Sequence, residues 1–231
     1  MRLLLLLFLD EPTPGQVMRN IARSASPDAA ARSYRAMVRV LLRQLSGLED
    51  CHLRICYAPD EAHDSIRFWI LPEIIDRPDI HLDPAKIDFV PQGPGPRATQ
   101  LHRAFSAAFE QGYEKIAAIG CDCIELSSRW IHAAFSQLND RYHAVLGPTP
   151  GNGCHLLALR RHHPSLFETI PWGQPDILPA ILETAALADL PLYQLPPLLD
   201  IHTEADFNKA LLGPLGPPLR KAMKALAEDG L

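Results

Sequence analysis

Lysine is scarce in this sequence of 231 residues, with only 5 among 22 basic side chains, and these stand against 27 Asp and Glu. The formal net charge of -5 lacks the strongly basic balance expected of a nucleic-acid binder and gives no reason to invoke an anionic membrane surface. Long apolar runs are missing too. The opening "MRLLLLLFLD" places seven apolar residues after Arg2, far short of the roughly 20 that span a bilayer. Asp10 and Glu11 follow at once with no small-x-small cleavage site, so a buried first strand is expected here and not a signal segment. The five cysteines, at 51, 56, 121, 123 and 154, include no C-x-x-C pair. Their odd number does not make a disulfide framework, and a reducing cytoplasm is the expected compartment. No G-x-G-x-x-G follows any predicted strand, which removes the usual dinucleotide fingerprint. There is no internal repeat and no low-complexity tract.

What is present is an apolar content of 47%, enough for one large core, and an alternation of strand-like and helix-like patterns. Leu3 to Leu9 reads as a strand covered on both faces. "SPDAAARSYRAMVRVLLRQLSG" sets Tyr34, Met37, Val38, Leu41, Leu42 and Leu45 at helical spacing, with Pro27 near its start and Gly47 just past its end. Arg32, Arg35, Arg39 and Arg43 recur on the other side of that helix and are expected to face solvent. "HLRICYA" alternates Leu53, Ile55 and Tyr57 with Arg54 and Cys56, as a half-buried strand would.

After a less regular stretch, "KIDFVPQ" predicts a strand and "RATQLHRAFSAAFEQG" a helix through Leu101, Ala104, Phe105, Ala108 and Phe109. "KIAAIG" predicts a strand, and "SSRWIHAAFSQL" a helix N-capped by Ser127 with Ile131, Ala134, Phe135 and Leu138 inward. "YHAVLGP" and "CHLLALR" read as two strands joined by a turn-rich link. "DILPAILETAALAD" reads as a helix, "LYQLPP" as a short strand, and "TEADFNKALL" as a helix capped by Thr203 with Asp206 at its third position. "PPLRKAMKALAEDGL" is a terminal helix after a Gly/Pro linker. The 22 prolines imply well-fixed loops.

This order predicts an α/β fold of three α/β/α layers around a mostly parallel mixed sheet. Residues 1–211 are expected to form one domain and residues 212–231 a linker and C-terminal helix. Ligands of such sheets bind beyond the carboxyl ends of the strands. The loops to inspect are therefore "DEPTPGQVMRN", "PQGPGPR", "GCDCIEL", "GPTPGNG" and "LLDIHTEAD". In "AAIGCDCIEL" an apolar strand stops at Gly120 and presents Asp122 at a fixed height, with Cys121 and Cys123 packed to its opposite side. Asp122 and Asp200 could together supply oxygen ligands to a hard divalent cation that takes its remaining ligands from phosphate and water. Other readings of these residues are a helix cap for Asp122, a zinc site drawn from Cys121, Cys123, Cys154, His155, His162 and His163, and a catalytic cysteine.

Taken in order, the five loops resemble those of glycosyltransferase-A-like (GT-A) proteins, the nucleotide-diphospho-sugar transferases and arsenosugar-type glycosyltransferases, which are related to the guanylyltransferases of molybdenum-cofactor synthesis. The resemblance covers roughly residues 1–211. It rests on "AAIGCDCIEL", similar to Gly-Ser/Thr-Asp-Cys-Pro-x-Leu, on "VLGPTPGNGCHLLAL", similar to Gly-Pro-x-x-Asp-Gly-Gly-Tyr-x-Leu-x-Gly-Leu, and on "LLDIHTEADF", similar to Asp-x-Asp-Thr-x-x-Asp-Leu. "PWGQPDIL" matches a further Pro-Trp-Ser pattern.

The resemblance implies a nucleotide-diphospho-sugar transferase fold and a glycosyl- or nucleotidyl-transferase using a nucleotide or nucleotide-sugar. Asp122 and Asp200 would be its catalytic, metal-contacting carboxylates for Mg or Mn, aided by His202. Pro14, Gly15, Arg19, Gln92, Gly95 and Arg97 would face the nucleotide, and Asn152 and Gly153 the substrate.

The sequence also departs from the family pattern. Asp10, Met18 and Asn20 stand where two lysines and an arginine would cradle phosphate. At roughly 1.5–3 kcal/mol for each charge-assisted hydrogen bond, their loss costs on the order of 4–9 kcal/mol of phosphate binding, with Arg19 and Arg23 near enough in sequence to compensate. "PQGPGPRATQL" keeps Gln92, Gly93 and Gly95 with Arg97 as its nearby cation. Gly151 and Asn152 occupy the Asp-Gly positions, and His202 replaces the middle Asp of the fifth loop. A non-catalytic binding or partner-interaction module on the same fold is the alternative that these changes favour.

Overall fold

A computed structural model of the chain describes residues 2–21 and 26–228. Arg23, one of the two arginines expected to compensate in the first loop, lies outside these residues.

Among the described residues, seven strands form one sheet in the order β3-β2-β1-β4-β6-β5-β7. They are β1 (Leu3–Asp10), β2 (Cys51–Ala58), β3 (Ile87–Pro91), β4 (Lys115–Ile119), β5 (Ala144–Pro148), β6 (Cys154–Leu159) and β7 (Leu192–Gln194). β6 runs antiparallel to β4 and β5, and the remaining pairings are parallel. This is the expected mostly parallel mixed sheet, and β1 lies in its interior, between β2 and β4, where a strand apolar at every residue from Leu3 to Leu9 can be covered on both faces.

Residues alternate strictly between the two faces. Leu3, Leu5, Leu7 and Leu9 join one core with α1 (Pro27–Gln44), α2 (His63–Ile75) and α4 (Ser128–Gln137). Leu4, Leu6 and Phe8 join the other with α3 (Arg97–Glu110), the short α5 (Ser165–Glu168) and α6 (Leu178–Leu187). A third apolar cluster lies outside the first layer. Ala36, Met37 and Val40 of α1 meet Phe207 and Ala210 of α7 (Glu204–Leu212) and Leu219, Ala222 and Leu226 of α8 (Gly216–Glu228).

That outer cluster changes the reading of α1. With one side on the sheet and another against α8, the helix has little solvent-facing surface, and Arg39 is not exposed as its spacing implied. It is 9% exposed and forms a bidentate pair with Glu73, Nε to Oε2 at 2.8 Å and Nη2 to Oε1 at 2.6 Å. Arg35 is half-buried with its guanidinium 5.3 Å from the centre of the Trp69 ring, whereas Arg43 is exposed beside Asp79.

β2 is likewise buried on both faces and not on one. Cys56 lies in the core, and Arg54, only 6% exposed, donates to both Asp88 oxygens and to Gln111. α2 fills the stretch that showed no regular pattern. Ser127 occupies the N-cap of α4 as expected but makes no side-chain capping bond, while Thr203 and Asp206 form a reciprocal capping box on α7.

Candidate functional site

The carboxyl ends of the parallel strands open onto a cleft of about 540 Å³. Its position follows from topology: loops leaving β1, β4 and β5 surround it, and the antiparallel β6 enters it from the same end.

β4 ends at Gly120, and the next three residues continue the alternation. Cys121 and Cys123 turn into the α1-side core, while Asp122 between them borders the cleft. The main-chain carbonyl of Asp122 accepts from the Ile201 N–H at 2.9 Å, which ties this loop to the one carrying Asp200. That second loop is stitched along its length. Leu195 N–H donates to Leu146 O at 2.8 Å, Leu198 N–H to Pro148 O at 3.2 Å, and Leu199 N–H to Glu125 Oε2 at 3.3 Å. Residues separated by almost eighty positions thus meet through backbone bonds, and both carboxylates line the same cleft.

Burial raises the Asp122 carboxyl above the usual carboxylate range; Asp200 and Asp10 push it the same way, and His202 and Arg97 oppose them. Asp10, at the end of β1, is raised mainly by loss of water as well, although its side chain keeps solvent contact; Arg97, Gln92 and Arg19 lower it. Three carboxylates therefore line one cleft, and like charges there are eased by a positive charge beside them. His202 Nε2 lies 2.7 Å from Asp200 Oδ2, and this hydrogen bond raises the imidazole pKa. To ligate a metal through that nitrogen, His202 would have to release Asp200. Among the described residues no group of three or more His, Cys, Asp or Glu is arranged to hold a metal by itself. Asp122 and Asp200 still match a hard cation that takes few protein ligands and completes its shell with phosphate and water.

Among the described residues, the arginines that line the cleft are Arg97 and Arg19. Arg97 is the first residue of α3, its guanidinium 5.2 Å from the centre of the Phe8 ring and its Nη1 donating to Gln92 Oε1 at 3.1 Å. Gln92 is only 4% exposed, and its amide nitrogen donates to the Leu9 and Cys56 carbonyls, each at 2.9 Å. It clamps the ends of β1 and β2 together and presents Arg97. Arg19 is exposed and folds back on Gln16. Met18 and Asn20, where the family pattern has cations, also line the cleft.

Gly153 borders the cleft as well, and its missing side chain matters: a Cβ there would come within 2.7 Å of Thr149 Oγ1 and 3.4 Å of Asp200 Oδ2. Asn152, Pro14, Gly15, Gln92 and Gly95 are not among the lining residues. Asn152 adopts a left-handed φ of 60°, and its carbonyl receives Leu178 N–H. Pro14 and Gly15 lie in an exposed turn, and Gly95 precedes α3 with φ 112°.

Several lining residues were not assigned to a ligand-binding cleft from sequence. Tyr34 of α1 is buried, and its hydroxyl accepts from Asp10 N–H at 2.8 Å and from the Cys121 thiol at 3.2 Å. His155 and Trp172 belong to the wall too. Burial pushes the Cys123 and Cys154 thiols up to about 12 and Cys121 well above its ordinary value, so none of the three is a thiolate near neutral pH.

A family model described as "Uncharacterized protein conserved in bacteria (DUF2064)" matches residues 41–174. That span includes Arg97, Asp122 and Gly153 but neither the Asp10 loop nor the Asp200 loop. None of the curated proteins matches.

Among solved structures, a protein from Desulfovibrio desulfuricans G20, assigned as a nucleotide-diphospho-sugar transferase, superimposes with a TM-score of 0.77 at 25% identity, over 96% of this chain and 99% of that one. A cytidylyltransferase from Leptospira borgpetersenii (TM-score 0.55, 10% identity) covers 100% of this chain and 95% of its own. A 4-diphosphocytidyl-2C-methyl-D-erythritol synthase from Anaerococcus prevotii (0.57, 10%) covers 90% and 96%. These last two show the shared fold alone. No described helix is long and apolar enough to cross a membrane. The chain belongs to the DUF2064 family, and its architecture is the nucleotide-diphospho-sugar transferase fold of the GT-A-like proteins.

Proposed function

We propose that the chain is a transferase that binds a nucleotide or nucleotide-sugar in the strand-end cleft, with Asp122 and Asp200 as the carboxylates that would hold a divalent cation, Mg²⁺ or Mn²⁺. The observation that carries this reading is the meeting of Asp122 and Asp200, from distant parts of the chain, beside Arg97 in one open cleft. When bound, such a cation offsets the negative charge that builds on a diphosphate during glycosyl or nucleotidyl transfer.

The chain's own residues supply the rest. Arg97, fixed by Gln92 and backed by Phe8, offers a guanidinium to phosphate oxygens, and its place at the start of α3 adds the positive end of the helix dipole. Asp122 and Asp200 repel one another, and a cation between them would relieve what His202 and Arg97 only partly offset. His202 donates to Asp200 and fixes which of its oxygens remains free. The exposed Arg19 is the second cation for the phosphates, and Gly153 leaves the space beside Asp200 open to substrate.

Thermal unfolding of the purified protein against UDP, GDP, CTP, UDP-glucose and GDP-mannose, each with and without Mn²⁺, tests this. A ligand at about a hundred times its Kd stabilises by ~2.7 kcal/mol, or about 5–10 °C for a chain of this size. Stabilisation is expected only with metal and nucleotide together, and Asp122→Asn is expected to abolish it.

A second reading, a non-catalytic binding module, is favoured by one observation: Asp10 places a carboxylate in the cleft where the family pattern has a phosphate-binding cation. Absence of any metal-dependent shift across the panel would support that reading.

A further inference from the structure

β5 and β6 do not pair evenly. Gly147 pairs with Leu156 and Pro148 with Cys154, so His155 is the extra residue of a bulge at the mouth of the cleft. Bulges re-aim a side chain, and they recur beside active sites. Here the bulge sets the His155 ring over Gly147. A Cβ on Gly147 would lie 2.6 Å from Nε2 and 2.9 Å from Nδ1, so the ring occupies the space that a side chain at 147 would need.

His155 is 6% exposed, and neither ring nitrogen has a hydrogen-bond partner. An imidazole left in this way forfeits hydrogen bonds that it would keep in water, at a cost of about 1–3 kcal/mol for each unsatisfied group. The ring also forms part of the cleft wall, and no hydrogen bond opposes its swinging about the Cα–Cβ bond.

We propose that His155 reads a hydroxyl of the sugar carried by the bound nucleotide, its imidazole turning from Gly147 into the cleft to donate one hydrogen bond and accept another. This rests on the nucleotide-sugar reading of the cleft. A hydroxyl is the matching group because it is itself both donor and acceptor, as a neutral imidazole is. Phosphate is a poorer match, since burial lowers the His155 pKa to about 4 and the ring carries no charge near neutral pH. Asp200 is close enough to act on the ring electrostatically, which places His155 on the Asp200 side of the cleft.

The test is a ratio of affinities. UDP-glucose against UDP, and GDP-mannose against GDP, are titrated with Mn²⁺ into wild type, His155→Leu and His155→Gln. His155→Leu is expected to reduce the preference for the sugar-bearing ligand about tenfold, the effect of ~1.4 kcal/mol of lost hydrogen bonding. His155→Gln, which keeps a donor and an acceptor, is expected to restore most of it.

A variant that merely folds less well loses both ligands of a pair together and leaves the ratio unmoved. An unchanged ratio in His155→Leu, with wild type binding normally, overturns the role of His155 and leaves the proposed function standing. Failure of wild type to bind any of the four ligands overturns both.

Discussion

Gln92 shows how much one side chain can hold together. Its single amide bridges β1, β2 and Arg97, so Gln92→Leu strips two buried carbonyls and a guanidinium of their partner in one step. At about 1–3 kcal/mol for each of the two buried carbonyls, the variant is expected to lose roughly 2–6 kcal/mol in urea unfolding. It is also expected to bind nucleotide more weakly, because Arg97 loses its tether. Equal stability of variant and wild type would contradict the clamp.

The sequence placed Gln92 near a nucleotide through the loop it belongs to, and could not say that its amide is consumed by the backbone. Asp122 was legible for a physical reason, since a buried apolar run that halts at glycine must present the next polar side chain at the sheet edge. His155 was not, because a bulge depends on how two strands pair and leaves no mark in either strand alone.

At the scale of elements, legibility followed periodicity. α1, α3 and α4 each carry an apolar stripe that packs on the sheet, and their positions could be read from it. α2 has apolar residues all round: Ile66, Trp69, Ile70 and Ile74 are buried while Phe68 and Ile75 are exposed, and Pro72 interrupts it. The buried set keeps helical spacing, but the apolar residues on the other faces mask that period in the sequence.

The second apolar side of α1 was hidden for a related reason. Short residues such as Ala36 look neutral until α8 packs on them. The consequence for Arg39 is energetic. Glu73 holds both Arg39 and Arg77, so Glu73→Ala leaves a buried guanidinium unpaired and is expected to cost about 3–5 kcal/mol in chemical denaturation. Replacing the pair together, Arg39→Met with Glu73→Leu, is expected to be close to neutral. A double variant as unstable as Glu73→Ala would show that packing and not charge governs this contact.

The whole molecule responds to pH through the same burial that shapes the cleft. The folded-state pKa of His155 is about 4, and those of His162 and His163 are lowered as well, in each case first by burial. Since the unfolded chain protonates near 6.5, the stability these groups confer as neutral rings is complete above pH 6.5 and falls away as the pH drops toward 4. His155 alone accounts for about 3 kcal/mol of that loss. His202 acts in the opposite sense, since its raised pKa stabilises the fold below 6.5 and this contribution disappears as pH rises through the folded value. The melting temperature is therefore expected to decline between pH 6.5 and 4, and His155→Leu to flatten the decline. A wild-type profile that is flat across that interval would contradict the burial of these rings.

The two acidic loops lie almost eighty residues apart in sequence, and their meeting depends on the strand order and on the main-chain bond from Ile201 to Asp122. The most direct measurement of what that meeting is for is calorimetric titration of Mn²⁺ into the protein in the presence of UDP or GDP. Wild type is expected to give saturable heat that requires the nucleotide, and Asp122→Asn and Asp200→Asn to give none. Undiminished metal binding in either variant would contradict the assignment of the cation to these two carboxylates.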